Sequence, residues 1–175
     1  MLNENIVNLT SLQFKALSSD QFAALTTLQV VALESTELGL MTSAQFSGMT
    51  TDAIAAITTS QGAYITSTHI KGLSTDQIQA LTTAQVAVLT TAQLYGGFST
   101  AMVSALTTTQ MGAMSSTQLG ALSASQVVAI ETEDLAILTT KQVAGFTSAQ
   151  LAYLTTDQVV ALSTLQVAKL STVQL

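Results

Sequence analysis

Large apolar residues recur every eight positions in this chain, and polar residues follow them in a fixed order. Counted in octads from residue 1, the first position is large and apolar in every unit. The second position is Thr or Ser in 19 of 22 units, and the fifth is Gln in 16 of 22. The sixth position is again large and apolar, except at Gly62. The consensus L-T/S-T/S-x-Q-V/I/L-x-A therefore describes a structural unit that is repeated along the whole chain.

Each octad carries the pattern of a helix start. With Thr or Ser as N-cap, Gln falls at N3 and completes a capping box. The hydroxyl then accepts a hydrogen bond from the N3 amide, and the Gln side chain accepts one from the N-cap amide. The apolar residues at positions 1 and 6 become N′ and N4, the pair that forms a hydrophobic staple. Because an N-cap residue is not itself helical, every start ends the preceding helix, and the sequence predicts helices of about six residues.

Two other structures fit the pattern less well. In a continuous helix, eight residues advance about 800°, so positions 1 and 6 would wind around the axis instead of forming one apolar stripe. In a strand, positions 1 and 6 would point to opposite faces. Helices of six residues are not stable alone in water. We therefore expect an all-α superhelical solenoid of short helices, one per octad, in which each unit is stabilised by its neighbours.

The eighth position indicates how many octads form one turn. In octads 5, 8, 11 and 17 this position holds a bulky residue: Leu40, Tyr64, Val88 and Ile137. In octads 6, 9, 12 and 18 it holds Gly: Gly48, Gly72, Gly96 and Gly145. Both sets are spaced by three octads or a multiple of three, with Tyr153 as the exception. The spacing predicts three octads per turn, and chance in a small sample is the alternative.

The octads form a single repeat array over residues 1–175. They run in one frame over 1–96, continue over 98–169 after an extra residue, Gly97, and end in a partial octad over 170–175. Gly97 predicts a local kink or a one-residue bulge, because a domain boundary would carry a longer polar linker.

Composition excludes several classes of function. The chain has four Lys, no Arg and a net charge of -6, so we expect no nucleic-acid binding, which needs clustered basic residues. The absence of Cys removes disulfides and thiolate sites. We expect no transmembrane segment, since no apolar run reaches 18 residues. The start, MLNENIVNL, lacks the features of a cleaved signal peptide.

Catalysis has little chemistry available, with one His, no Cys and no catalytic motif. We expect neither an enzyme nor a bound cofactor. The departures from the consensus are the candidate sites. Around residues 57–72 the octads could form a pocket left by Gly62 and lined by Tyr64 and His69. The structural alternative, which we favour, has Tyr64 filling that space and His69 capping a helix as Gln does.

Two acidic octads are the other candidates. Their carboxylates, which could bind Ca²⁺, belong to Glu34, Glu37, Glu131, Glu133 and Asp134. Carboxylates are also stabilised at helix N-termini, and we favour this structural role. At the two ends, the polar first octad is typical of a solenoid cap, whereas Leu170 and Leu175 predict an uncapped end. Such an end indicates either that the chain is cut from a longer array or that another copy covers it as an assembly end.

The phrase L-T-T-x-Q-V-x-A-L, found at residues 81–89 and 154–162, resembles octapeptide repeat segments of large secreted or cell-surface bacterial proteins. The resemblance implies a non-enzymatic, extracellular structural protein, such as a filament subunit, spacer or adhesin segment. It also implies export without a cleaved N-terminal signal, with a cytoplasmic location left open. We expect head-to-tail self-association or a cell-surface partner. The alternative is a binding module that presents regular Thr/Gln rows to a glycan or to ice.

Overall fold

The fold is all-helical, as the octad pattern predicts. A computed structural model describes residue 6 and residues 9–174, and these hold twenty helices of four to seven residues. No strand occurs in this part of the chain. The helices are α1 (Ser11–Lys15), α2 (Ser19–Ala23), α3 (Thr27–Ala32), α4 (Ser35–Leu40), α5 (Ser43–Ser47), α6 (Thr51–Ala56), α7 (Thr59–Gly62), α8 (Ser67–Lys71), α9 (Thr75–Ala80), α10 (Thr83–Val88), α11 (Thr91–Gly97), α12 (Thr100–Ser104), α13 (Thr108–Ala113), α14 (Ser116–Gly120), α15 (Ala124–Val128), α16 (Thr132–Ile137), α17 (Thr140–Val143), α18 (Ser148–Ala152), α19 (Thr156–Ala161) and α20 (Thr164–Val167).

The predicted caps form in each helix that has Gln at N3. In α10, the hydroxyl of Thr82 accepts from the Gln85 amide, and the Thr82 amide donates to Gln85 Oε1 over 2.6 Å. The N-cap residue is extended, with φ -71° and ψ 156°. The preceding residue, Leu81, is also non-helical, with φ -58° and ψ 134°. Two non-helical residues therefore form this corner, and no described residue has a positive φ.

Every helix packs against the helix three places along the chain, which confirms three octads per turn. The helices consequently form three stacks along the solenoid. Stack A holds α1, α4, α7, α10, α13, α16 and α19. Stack B holds α2, α5, α8, α11, α14, α17 and α20. Stack C holds α3, α6, α9, α12, α15 and α18.

The hydrophobic core lies inside the turns and is built from octad positions 1 and 6. Position 6 is fully buried through most of the array, as at Ile78, Val86 and Leu119. Burial of one such side chain contributes about 1.5–3 kcal/mol. Near the N-terminal end, Phe14 and Phe22 occupy this position and meet edge to face, with ring centroids 5.3 Å apart.

Gly97 forms neither the predicted kink nor a bulge. It lengthens α11 to seven residues and is buried against α8. A Cβ at Gly97 would lie only 3.0 Å from Ile70 Cβ, so the absence of a side chain lets α11 carry the extra residue. The pairing of each helix with the helix three places on continues across this point.

Candidate functional site

The fifth position of the octad connects neighbouring turns of the solenoid. Besides accepting from Thr82, Gln85 donates from Nε2 to the carbonyl oxygens of Ile54, at 2.8 Å, and Ile57, at 2.7 Å. Ile54 lies in α6, and Ile57 precedes α7, in the turn before. One amide group therefore caps its own helix with its oxygen and binds the previous turn with its nitrogen.

This double role recurs along the array and forms what we call the glutamine ladder. Its members donate to carbonyl oxygens about 28 and 31 residues earlier in the chain. They are Gln45, Gln61, Gln77, Gln85, Gln93, Gln110, Gln118, Gln126, Gln142, Gln150, Gln158, Gln166 and Gln174. For Gln110 and Gln118 the separations are 29 and 32 residues, because the extra residue Gly97 lies in the sequence between each Gln and its acceptor carbonyls.

His69 takes the place of Gln in the ladder. Its ring is buried, with Nδ1 3.2 Å from the Thr66 amide and Nε2 2.7 Å from the Met41 carbonyl oxygen. Because the first contact needs an acceptor and the second a donor, these partners fit a neutral ring with its proton on Nε2. The ring also stacks on Phe46, with centroids 5.2 Å apart. The predicted capping role is confirmed, and the bond to the previous turn is added to it.

Gly62 and Tyr64 do not form a site with His69. Gly62 borders a cavity of about 20 Å³ inside the core, which neither Tyr64 nor His69 lines. Tyr64 is 47% exposed, so the alternative in which it fills the space beside Gly62 is also wrong. The cavity lies instead between Gly62 and the Val88 side chain of the next turn, which a Cβ at Gly62 would meet at 3.9 Å.

The two acidic octads form α4 and α16 of stack A. Three helices of the stack, α7, α10 and α13, lie between them. Glu34 is the N-cap of α4, and its amide donates to the Glu37 carboxylate over 2.8 Å. Glu131 is the N-cap of α16 but makes no cap bond with its side chain, which instead accepts from the Ser104 hydroxyl. Within the described residues, no group of three or more His, Cys, Asp or Glu side chains is arranged to hold a metal ion.

Asp134 is the one acid buried in the described part of the ladder. It occupies the Gln position of α16 and is 3% exposed. Burial raises the pKa of Asp134, a hydrogen bond to the Thr108 side chain opposes this, and the charges of Glu131 and Glu133 raise it further. An ionised carboxylate accepts hydrogen bonds but cannot donate them, so it cannot replace the bonds that Gln makes to the previous turn.

The burial of the ladder changes the predicted binding surface. Gln side chains at position 5 are 2–8% exposed from Gln29 to Gln166, so they cannot form rows for a glycan or ice. The exposed Thr rows stay a prediction. At the predicted assembly end, Leu170 is half-buried, and Leu175 lies outside the described residues.

Comparison with known protein families matches the octads of this chain. The ALTTAQ repeat model matches residues 3–35, 63–91 and 127–164, more than half of the chain. The chain belongs to the ALTTAQ repeat family. A search of curated proteins finds no match.

Within the described part of this ALTTAQ array, no helix is long and apolar enough to cross a membrane. The family assignment agrees with the octapeptide repeat that the sequence indicates, since A-L-T-T-A-Q occurs as such at residues 80–85.

The bond from each Gln to the previous turn was not predicted from the sequence. The preference for Gln over Glu could have indicated it. Either side chain completes a capping box, and only Gln also carries an NH₂ group that can donate. With Gln in 16 of 22 octads and Glu only at position 37, the sequence selects for a donor that capping alone does not need.

Proposed function

We propose that this array is a non-enzymatic structural segment, a spacer or filament subunit in an extracellular or cell-surface protein, and that copies associate head to tail. The observation that carries the proposal is the glutamine ladder. Its bonds run from each turn to the turn before it, so the same contact can be repeated along one axis without limit. A heterologous contact of this kind does not close on itself and produces filaments.

The hydrogen bonds made by the buried polar side chains support a structural role. From Gln45 onward, the buried Gln side chains and His69 are all engaged in caps and in contacts between turns, which leaves them no capacity to bind or activate a substrate. The extracellular location is supported by the resemblance of the octads to repeat segments of secreted and cell-surface proteins.

Electron microscopy and sedimentation over a concentration series test this function. We expect particles that lengthen with concentration while their width stays that of one solenoid. Monomers at every concentration would exclude self-association and leave only an isolated spacer. The adhesin hypothesis would then be tested by measuring whether the monomeric chain binds a surface receptor or a cell wall.

A further inference from the structure

A row of exposed apolar side chains follows stack A through the middle of the array. Leu40, Tyr64 and Val88 end their octads on three successive turns, and Ile137 follows two turns later. Tyr64 and Ile137 are 47% exposed, Val88 is 50% exposed and Leu40 is half-buried. We call these four side chains the stack A ridge. The core is built from positions 1 and 6, so the ridge adds apolar surface outside it, and such surface marks sites of protein contact.

Stack A is also the acidic side of the solenoid. Counted by octad, it carries six of the ten acidic residues and one Lys: Glu34, Glu37, Glu131, Glu133, Asp134 and Asp157, with Lys15. Only Asp134 among these acids is buried. A partner that covers the ridge therefore meets carboxylates beside it, so a basic surface complements this side of the solenoid.

Stack B carries the opposite charge. Its octads hold three of the four lysines and a single acid, Asp20. The lysines, all exposed, are Lys71, Lys141 and Lys169. Tyr95, one turn after Lys71, is 65% exposed and adds apolar surface beside them. Position 8 is Gly or Ala in six of the seven octads, so stack B has no ridge that would hold a partner away.

We propose that the occupant of the stack A ridge is stack B of a second copy of this chain, so that solenoids associate side by side. The ridge packs on the lysine-bearing side of the neighbour, and the carboxylates of stack A face its lysines. An unrelated basic protein would complement stack A alone, whereas a second copy complements stacks A and B together. The contact lies on the sides of the solenoid, so it is additional to the head-to-tail contact and does not depend on it.

Salt separates the two contacts. The ridge is only four partly exposed side chains, so the contact also needs its charges, whose attraction extends about 10 Å at 0.1 M salt and about 3 Å at 1 M. In electron micrographs we expect particles several solenoids wide at about 0.02 M salt and one solenoid wide at about 0.5 M salt. Particles of single width at low salt would overturn the side-by-side contact, while their length would still report on the head-to-tail function. Wide particles that do not lengthen would support this contact and contradict that function.

Reversal of one charge tests the basic side. Lys141→Glu replaces an exposed cation of stack B, and we expect it to raise the concentration for half-maximal widening about fivefold. Lys15→Glu is the matched control, because it makes the same change of net charge at an exposed position of stack A. The control adds to the acidic side, so we expect no weakening. Equal weakening by the two variants would show that net charge alone controls association and would overturn the assignment of the sides.

Exchange of the charges tests the pairing of the sides. One variant makes stack B acidic through Lys71→Glu and Lys141→Glu. The other makes stack A basic through Glu34→Thr, Glu131→Thr, Glu133→Lys and Asp157→Lys, where Thr restores the consensus N-cap of α4 and α16. We expect neither variant to widen alone, because stacks A and B then have the same sign, and an equimolar mixture to widen as the original chain does. Circular dichroism checks that both variants stay helical. A mixture of folded variants that keeps single width would overturn the proposal.

Discussion

Stacks A and B arrange the same octad in two different ways. In stack B, the eighth position is Gly in four of the seven octads, and Gly48, Gly72 and Gly145 approach the turn before them closely. A Cβ at Gly145 would lie 2.7 Å from Ser116 Cβ, and one at Gly48 would lie 2.8 Å from the Ser19 carbonyl oxygen. In stack A, the eighth position is bulky in four of the seven octads, and Tyr64, Val88 and Ile137 lie over a glycine of the turn before. A Cβ at Gly39 would meet Tyr64 at no less than 3.7 Å.

The ladder shows the same difference. From α5 onward, each helix of stack B carries a donor to the previous turn, with His69 in place of Gln in α8. Stack A has acids at this position in α4 and α16, Glu37 and Asp134. Each helix of stack B with Gly at position 8 also carries a donor, whereas stack A includes two acids at the donor position.

Removal of a hydrogen-bond donor from stack B should lower the free energy of unfolding more than any other change. In Gln118→Glu, the capping box can persist, but a buried carboxylate then faces the carbonyl oxygens that Gln118 now binds, of Val86 and Leu89. An unsatisfied buried charged group costs more than the 1–3 kcal/mol of a neutral one, so we expect a loss of about 3 kcal/mol or more. Urea unfolding measures it.

Gln79→Glu is the control for Gln118→Glu, because it adds the same charge at an exposed position. We expect it to change the free energy of unfolding by less than about 0.5 kcal/mol, as exposed substitutions usually do. A similar loss in both variants would mean that net charge, and not the ladder, determines the stability.

The second largest loss of stability should come from adding a side chain at the close contact of stack B. In Gly145→Ala the new methyl group meets Ser116 backbone and side-chain atoms, and overpacking of this kind costs about 1–3 kcal/mol. Gly39→Ala in stack A has ordinary contacts, and replacing a helical Gly by Ala gains roughly 0.5–1 kcal/mol. Neither glycine has a positive φ, so the comparison isolates the contact. Equal stability changes would show that the stacks do not differ in spacing.

Much of this architecture could be predicted from the sequence because it depends on local chemistry. Thr82 and Gln85 specify a helix start within four residues, and the spacing of Leu40, Tyr64 and Val88 specifies the turn of the solenoid. Both predictions are confirmed. The role of Gln85 as a donor to Ile54 and Ile57 was missed, because capping alone explains Gln without any contact between distant residues.

Predictions that depended on contacts between turns were less successful. Gly97 fits within α11 because Ile70 and Ser67 of the previous turn leave room for a residue without a side chain, which local sequence does not reveal. Tyr64 was expected to fill the space beside Gly62. The neighbour of Gly62 is Val88, one turn later, because position 8 packs on the turn before it and not within its own octad.

Restoring a hydrogen-bond donor at position 134 in stack A should increase the free energy of unfolding by a smaller amount. Because the pKa of Asp134 is raised above 3.8 in the folded chain, the folded state binds its proton more tightly than the unfolded state. The stability contribution of Asp134 therefore falls as the pH rises from about 3.8 through the raised pKa. Asp134→Gln removes this loss and adds a donor, so we expect a gain of about 1 kcal/mol at pH 7, and a gain that diminishes at acidic pH.

Asp157→Gln is the control for Asp134→Gln, because it removes an exposed carboxylate from the neighbouring helix of stack A, α19. The charged groups that act on Asp134 are Glu131, the N-cap of its helix, and Glu133. Of the two helices packed against α16, α19 carries Asp157 and α13 carries no titratable residue. Chemical unfolding at several pH values compares the two variants. A pH-independent gain in Asp134→Gln would show that the ladder bond alone, and not the carboxylate, limits stability.

The smallest effect should come from His69→Gln in stack B. Gln supplies the same acceptor for the Thr66 amide and the same donor for the Met41 carbonyl, so only the stacking on Phe46 is lost. Such ring contacts are worth about 0.5–1.5 kcal/mol beyond burial, and the second carbonyl that Gln can reach offsets part of that. We expect a net change below about 0.5 kcal/mol in thermal or urea unfolding. His69→Leu, which fills similar volume but leaves the Met41 carbonyl without its donor, should lose about 1–3 kcal/mol. If the two variants were equally stable, the ring at position 69 would act by packing, and stack B would not require an unbroken row of donors.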